Sequence, residues 1–279
     1  MKINTNKLLK YTFILSGAFF TNLAIANDAD EAAKELANPN TAFASLNIKP
    51  QYIAFKNENG EDFEETSLLF QPVLPFPRDD GSKIIVRPAI TAVEDNGFGE
   101  SGMKDISSDV FYALPTVVED SIATIEGFGA LFSLPTGSSD LGQGEVTSIG
   151  ASYILGKIAA DNIKLFFPQH LVSVDEGDLG NSGKVNLTTI QLGYIKLPGG
   201  GWNYGTGPKI KYNWEAESGE EWTVPLNFSI GKTTVLGDRP WKFSLEFDYF
   251  VVTPEPIGPE YQITFTITPV VQNTLANWF

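Results

Sequence analysis

Taken in steps of two, residues 202 to 269 separate into an apolar and a polar series. Tyr204, Ile210, Tyr212 and Trp214 alternate with Gly205, Lys209, Lys211 and Asn213. Trp222, Val224, Leu226, Phe228 and Ile230 alternate with Thr223, Asn227 and Ser229. Trp241, Phe243, Leu245, Phe247 and Tyr249 alternate with Lys242, Ser244, Glu246 and Asp248, and Tyr261, Ile263, Phe265 and Ile267 with Gln262, Thr264, Thr266 and Thr268. Side chains of a strand point to opposite faces at period two, so each run predicts a strand with one apolar and one polar face. In a soluble sandwich or lipocalin-like barrel the apolar faces meet in a core, and strands of five or six residues are common. In a transmembrane barrel the apolar face meets lipid and a strand needs about 9–11 residues. The runs here reach that greater length, and Trp202, Trp222, Trp241 and Tyr261 stand where an aromatic girdle at the lipid interface would place them.

Strands are expected at roughly 46–55, 66–76, 83–93, 106–116, 121–134, 145–156, 162–174, 185–197, 202–214, 222–236, 241–252 and 260–269. The connections between them alternate long and short. Long ones fall near 56–65, 94–105, 135–144, 175–184, 215–221 and 253–259, whereas short ones carry turn-forming pairs such as Asp80-Gly81, Asp161-Asn162, Gly199-Gly200 and Gly237-Asp238. Long external loops and short periplasmic turns are the pattern of an outer-membrane barrel, and an even strand count puts both ends of the barrel chain on the short-turn side. The fold expected is therefore all-β: a monomeric, antiparallel up-and-down transmembrane β-barrel of about 12 strands with a polar lumen. The earlier strands alternate less cleanly. Arg87, Ala89 and Thr91 oppose Ile84, Val86, Pro88 and Ile90, but Ile85 breaks the polar series. Pro50, Pro72, Pro75, Pro88, Pro115, Pro168, Pro208 and Pro225 also count against closure, because proline cannot donate to a ladder and a closed barrel has no edges; they must mark bulges or shorten strands.

Three domains follow. Residues 1–26 read as a signal peptide: Lys2, Lys7 and Lys10 precede a mostly apolar stretch from Tyr11 that ends in Ala24-Ile25-Ala26. Cleavage there would begin the mature chain at Asn27. Residues 27–44 form a periplasmic leader with a short helix over Asp28 to Ala37, its acids favoured near the helix N-terminus. That helix is expected to be solvated, the sharper alternative being a small plug at the barrel mouth. Residues 45–279 are the barrel, ending in Phe279 after an irregular tail from Val270. A terminal aromatic is the kind of residue the barrel-assembly machinery reads.

The chain has 279 residues, a net charge of −15, pI near 4.4 and no cysteine. Loss of three lysines with the signal peptide would bring the charge to about −18. An acidic chain is a poor partner for nucleic acid, which needs Lys and Arg on phosphates. Zero cysteine removes disulfides and thiolate sites. Acid collects in the long loops, for example Glu58, Glu61, Asp175, Glu176, Glu215, Glu217, Glu220 and Glu221. Solvated loops explain this; the alternative is carboxylates sharing divalent cations with lipid headgroups, although no loop has Ca²⁺-loop spacing.

The segment DEAAKELANPNTAFASLNIKPQY and the block GPKIKYNWEAESGEEWTVPLNFSIGKTT resemble an uncharacterised group of bacterial outer-membrane β-barrels. These are labelled "transporter", or misleadingly "neuromedin U", and are related to the MetA-pathway phenol-degradation barrels. The resemblance covers most of the mature chain and implies an outer-membrane location and passage of small molecules. It brings no catalytic motif, and the tail to Phe279 departs from it.

Little else points to chemistry. His170 is the only histidine, and Ser173, three residues on, must point to the opposite strand face, so the two cannot form a local dyad. Gly127-x-Gly129 and Gly142-x-Gly144 precede no helix, so they are not dinucleotide loops; bends or bulges are expected. No catalytic residue, metal site or cofactor is expected. The candidate site is the lumen: Arg87, Lys209, Lys211, Asn213, Lys242, Glu246 and Asp248 share the polar phase and would line it. The function expected is passive, selective passage of a small solute through a barrel contacting outer-membrane lipids. The alternatives are a structural barrel with a blocked lumen and a soluble periplasmic protein binding an apolar ligand.

Overall fold

The computed structural model describes residues 29–57, 62–141, 146–175 and 183–278. The expected signal peptide, Gly142-x-Gly144, the loop acids Glu58, Glu61, Glu176 and Asp178, and Phe279 lie outside the described residues. One sheet of antiparallel segments closes into a 12-stranded barrel. In chain order its strands are β1 (Ala44–Asn57), β2 (Phe63–Pro77), β3 (Lys83–Asp95), β4 (three collinear pieces, Gly102–Met103, Ile106–Ala113 and Val117–Glu119), β5 (Ile122–Leu134), β6 (Ser148–Ile158), β7 (Asn162–Ser173), β8 (Asn186–Gly199), β9 (Trp202–Thr206 and Lys209–Asn213), β10 (Trp222–Leu236), β11 (Arg239–Val252) and β12 (Ile257–Val271). β1 pairs with β12 from Ala44↔Val271 to Asn57↔Ile257, which closes the ring. All twelve expected strands are present, and the five short turns share one rim.

Those turns are built for tight reversal. Asp120 and Ser121 both have positive φ between the paired residues Glu119 and Ile122. Gly200 and Gly201 do the same before Trp202, and a Cβ on Gly201 would strike the Thr233 carbonyl at 2.2 Å. Glycine is required there by both conformation and space.

The prolines explain where the ladder fails. β2 and β3 pair at Phe70↔Ile90 and again at Leu74↔Val86, with no pairing between. Pro72 and Pro88 sit opposite one another in that gap. β9 and β10 pair at Gly205↔Ser229 and next at Lys211↔Thr223. Pro208 splits β9 inside this second gap, and Pro225 adds a register shift on the other side of β10. Side chains take over some of the lost bonds: Gly207 N–H donates to Asn227 Oδ1 at 2.6 Å and Thr206 Oγ1 to the Asn227 carbonyl at 2.7 Å. Pro115 lies in the break between two pieces of β4. Pro50, Pro75 and Pro168 stay within continuous register.

The apolar series faces outward. Phe128, Phe228, Leu226, Leu245 and Phe247 are exposed on the outer wall, as are Trp202 and Trp222. Trp202 and Trp241 lie near the short-turn rim; Trp222 and Tyr261 lie towards the long-loop rim. The inner wall is not uniformly polar, and here the expectation of a polar lumen is corrected. Ile85, Phe111, Ala113, Ile154 and Phe167 form one buried inward cluster, and Ile125, Ile158 and Ile163 another. Strands β3 to β7 are thus apolar on both faces over part of their length, which is why their alternation blurs. The expected bend at Gly127-x-Gly129 is also corrected: pairing continues without a register shift. A Cβ on Gly129 would lie 2.9 Å from the Phe111 ring, so glycine makes room for that side chain.

The helix α1 (Ala29–Ala37) forms where expected, but it is not a solvated leader. It lies across the short-turn mouth. At its start the Asp30 carboxylate accepts the Gly201 N–H. At its end Ala37 packs on the Ile125–Ile158–Ile163 cluster, while Ala32 and Leu36 meet Phe43 and Val270 near the β1–β12 junction. Ala32 and Ala33 are buried. Beyond the helix, Asn40 receives the Lys83 ammonium on its carbonyl at 2.9 Å and donates to Thr116 Oγ1 at 3.3 Å. The physical cause is the apolar inward cluster: left bare it would face water, and an alanine-rich helix covers it. Burying Phe43 alone contributes roughly 1.5–3 kcal/mol. The tail continues β12 through Val271, then turns at Thr274–Trp278, with Asn273 Nδ2 donating to the Pro75 carbonyl at 2.7 Å.

Candidate functional site

Above the docked helix the lumen holds two chambers. The one next to the helix has a volume of about 290 Å³ and is bounded by Leu36, Ala37 and Pro39 below and by Lys49, Arg87, Lys242 and Glu246 on the walls. The one nearer the long loops has a volume of about 140 Å³ and is lined by Lys209, Lys211, Asp248 and Gln262, among others. Lys49, Gln71 and Glu246 line both. They mark the waist between the chambers.

Strand periodicity puts these groups together. Lys209 and Lys211 alternate on β9 with Ile210 and Tyr212, so their ammonium groups share the inner face. Both are exposed to water, yet protein surrounds them; the water is that of the lumen. On β11, Lys242, Glu246 and Asp248 follow the same rule at increasing distance from the short-turn rim. Asn227 on β10 holds both acids, donating to Glu246 at 2.9 Å and to Asp248 at 2.8 Å. Lys49 donates to Gln71 Oε1 at 2.8 Å. Arg87 projects from the β2–β3 gap with its guanidinium 4.4 Å from the Phe111 ring centre and 5.7 Å from that of Phe167. Its cross-strand neighbour is Asp109. Ion pairs form elsewhere, at Lys104–Glu65 and Lys196–Asp161, and the cations of the two chambers stand within the field of Glu246, Asp248 and Asp109 without contact pairing among the described residues. The arrangement offers fixed charges along a narrow aqueous space and no nucleophile beside a base.

Of the seven candidate lining residues, six line the chambers or stand beside them: Arg87, Lys209, Lys211, Lys242, Glu246 and Asp248. Asn213 does not line them; it is the last residue of β9, where its N–H donates to the Glu221 carbonyl at 2.8 Å and its Oδ1 accepts the Glu215 N–H at 3.1 Å. Lys49 and Gln71 were missed. Their signal was present, since Asn47, Lys49 and Gln51 alternate with Leu46, Ile48 and Tyr52. His170 shares the even-numbered face of β7 with the exposed Phe166, and its Nδ1 lies 2.9 Å from Thr188 Oγ1. Ser173 is elsewhere, accepting the Val185 N–H at 3.2 Å. The four girdle candidates make their own contacts: Lys232 sits 4.9 Å over Trp202, Tyr212 meets Trp222 edge-on at 4.8 Å, Trp241 stacks on Phe243, and Tyr261 lies 6.0 Å from Tyr52.

No protein-family model matches the chain, and no curated relative matches it. Among solved structures it is similar to an outer membrane channel from Pseudomonas putida F1, with a TM-score of 0.61 and 11% sequence identity over 82% of this chain and 96% of that one. The beta domain of the Bordetella autotransporter BrkA aligns with a TM-score of 0.37 and 12% identity, over 81% of this chain and 99% of that one. At such identities the likeness to the channel shows the fold: a closed antiparallel barrel.

Proposed function

We propose that this chain is an outer-membrane barrel through which small molecules pass passively and selectively, without covalent chemistry. The observation that carries the proposal is the two-faced wall. A closed barrel with exposed aromatics and leucines outside and fixed charges inside suits lipid around it and a water-filled path within it. The similar solved structure is described as an outer membrane channel, which agrees. Continuous strands of 11 to 15 residues are long enough to span a bilayer when tilted. On this reading the long acidic loops face outward, the helix-bearing rim faces the periplasm, and the chain's partners are outer-membrane lipids, the assembly machinery and a small solute.

Selectivity would come from charge and constriction. Exposed loop carboxylates at the outer mouth favour cations but are screened over about 10 Å at 0.1 M salt. The lumen lysines lie against low-dielectric walls and are screened less. In planar bilayers, replacing Lys209, Lys211 and Lys242 together by Gln is expected to move the reversal potential toward cation preference, and the shift should persist at high salt. Conductance with an unmoved reversal potential would take these lysines out of the path. The docked helix favours a second reading, a structural barrel with a closed lumen; absence of conductance from the wild type and from the helix variant described below would establish that reading instead.

A further inference from the structure

The chamber beside the helix has a mixed lining. Leu36, Ala37, Pro39, Val73 and Leu165 supply apolar surface, and Val73 and Leu165 pack on the same cluster of rings that carries Arg87. Lys49, Arg87 and Lys242 reach in from three different strands, with Glu246 as the one carboxylate among the lining residues. Glu246 is already occupied by Asn227. The Arg87 guanidinium lies over the Phe111 and Phe167 rings, which favour that placement. Its Nε is buried and has no hydrogen-bond partner among the described residues. That nitrogen is closed to the chamber as well, so what Arg87 offers there is the rest of its guanidinium. Asp109 does not neutralise this cation by contact: no ion pair within 4.0 Å joins the two, and its Oδ2 is approached by Gln169 Nε2 at 3.5 Å.

We infer that this chamber is a binding site for a small organic monocarboxylate. The proposal rests on the reading of the lumen as a solute path and names the class of solute held there. The carboxylate would lie among Lys49, Arg87 and Lys242; the guanidinium fork matches the planar, two-oxygen geometry of a carboxylate. The hydrocarbon part would lie against Leu36, Pro39, Val73 and Leu165. A volume of about 290 Å³ is at the small end of ligand pockets, which run roughly 300–1,000 Å³, so the body is a short chain and not that of a long-chain fatty acid. The apolar surface beside Arg87 argues against inorganic anions, which would leave it in water. The excess of cations argues against amines.

The test is calorimetric titration of the full mature protein in detergent micelles with hexanoate, and with hexanamide as a neutral counterpart of the same length. Hexanoate is expected to bind at least tenfold more tightly than hexanamide or inorganic phosphate. Arg87→Gln and, separately, Lys242→Gln should each weaken hexanoate at least tenfold; two variants are used so that a loss of assembly in one leaves the other to read, and gel mobility before and after heating reports assembly. Equal binding of hexanoate and hexanamide overturns the proposal, as does phosphate binding as tightly as hexanoate. So does unchanged affinity in both variants when both are folded. Binding is read without transport. A barrel that conducts but does not hold hexanoate overturns the site and leaves passage standing. A barrel that binds hexanoate but does not conduct supports the site and counts against passage.

Discussion

Phe247 and Ser244 are three residues apart on β11 and face opposite media. Phe247 is 42% exposed on the outer wall and packs 6.2 Å from Tyr261, whereas Ser244 lines the chamber beside the helix. Both lie near the middle of the strand, so position along the barrel axis is nearly constant and only the face differs. Phe247→Arg should lower assembled yield, since an arginine at mid-bilayer costs about 2–4 kcal/mol. Ser244→Arg places the same cation in a water-accessible chamber and should assemble better. Heat-modifiable gel mobility measures both; equal yields would contradict the assignment of faces. Arg87 shows the opposite relation at the same scale. Its charge is tolerated inside because two aromatic faces and a nearby carboxylate replace part of its water.

At the scale of strands, the ladder fails where two prolines oppose each other or one splits a strand. In the β2–β3 gap neither Pro72 nor Pro88 has a donor. Replacing both by valine should let the ladder close and raise the temperature at which the barrel unfolds on gels, each restored hydrogen bond contributing roughly 0.5–1.5 kcal/mol. A lower unfolding temperature would mean that packing around Arg87, not the prolines, holds the gap open. Strand number, direction and facing were legible in the sequence because period-two alternation and turn chemistry are local signals. The register of β8 to β12 follows from runs such as Trp241 to Val251, where every second residue is apolar. The apolar inner wall was not legible. Ile85 looked like a defect in β3, because a residue that packs inward against Phe111 and one that faces outward have the same composition. Where the helix docks was hidden for a related reason: ADEAAKELA reads as a solvated helix unless the bare cluster it covers is already known.

For the whole molecule, the decisive element is the helix across the mouth. On that helix Ala32 is fully buried against Phe43 and Val270, while Glu31 is exposed. Ala32→Glu forces a carboxylate into that contact and should displace the helix, because an unpaired buried charge is strongly disfavoured. Planar-bilayer conductance is expected to rise severalfold over wild type, with Glu31→Gln unchanged as a control. Conductance identical in all three proteins would show that something other than the helix closes the barrel. The chain around the helix adds a kinetic consequence. Only six residues, Asn38 to Phe43, join α1 to β1, and they span at most about 20 Å when extended. Asn40 is itself fastened to Lys83 and Thr116, so a released helix pivots on a leash shorter than its reach suggests. Its local concentration at the mouth therefore stays high, in the millimolar range typical of short tethers. Closing is a first-order event: its rate should not change with protein concentration, and free peptide of the same sequence should compete poorly against a stopper that never leaves.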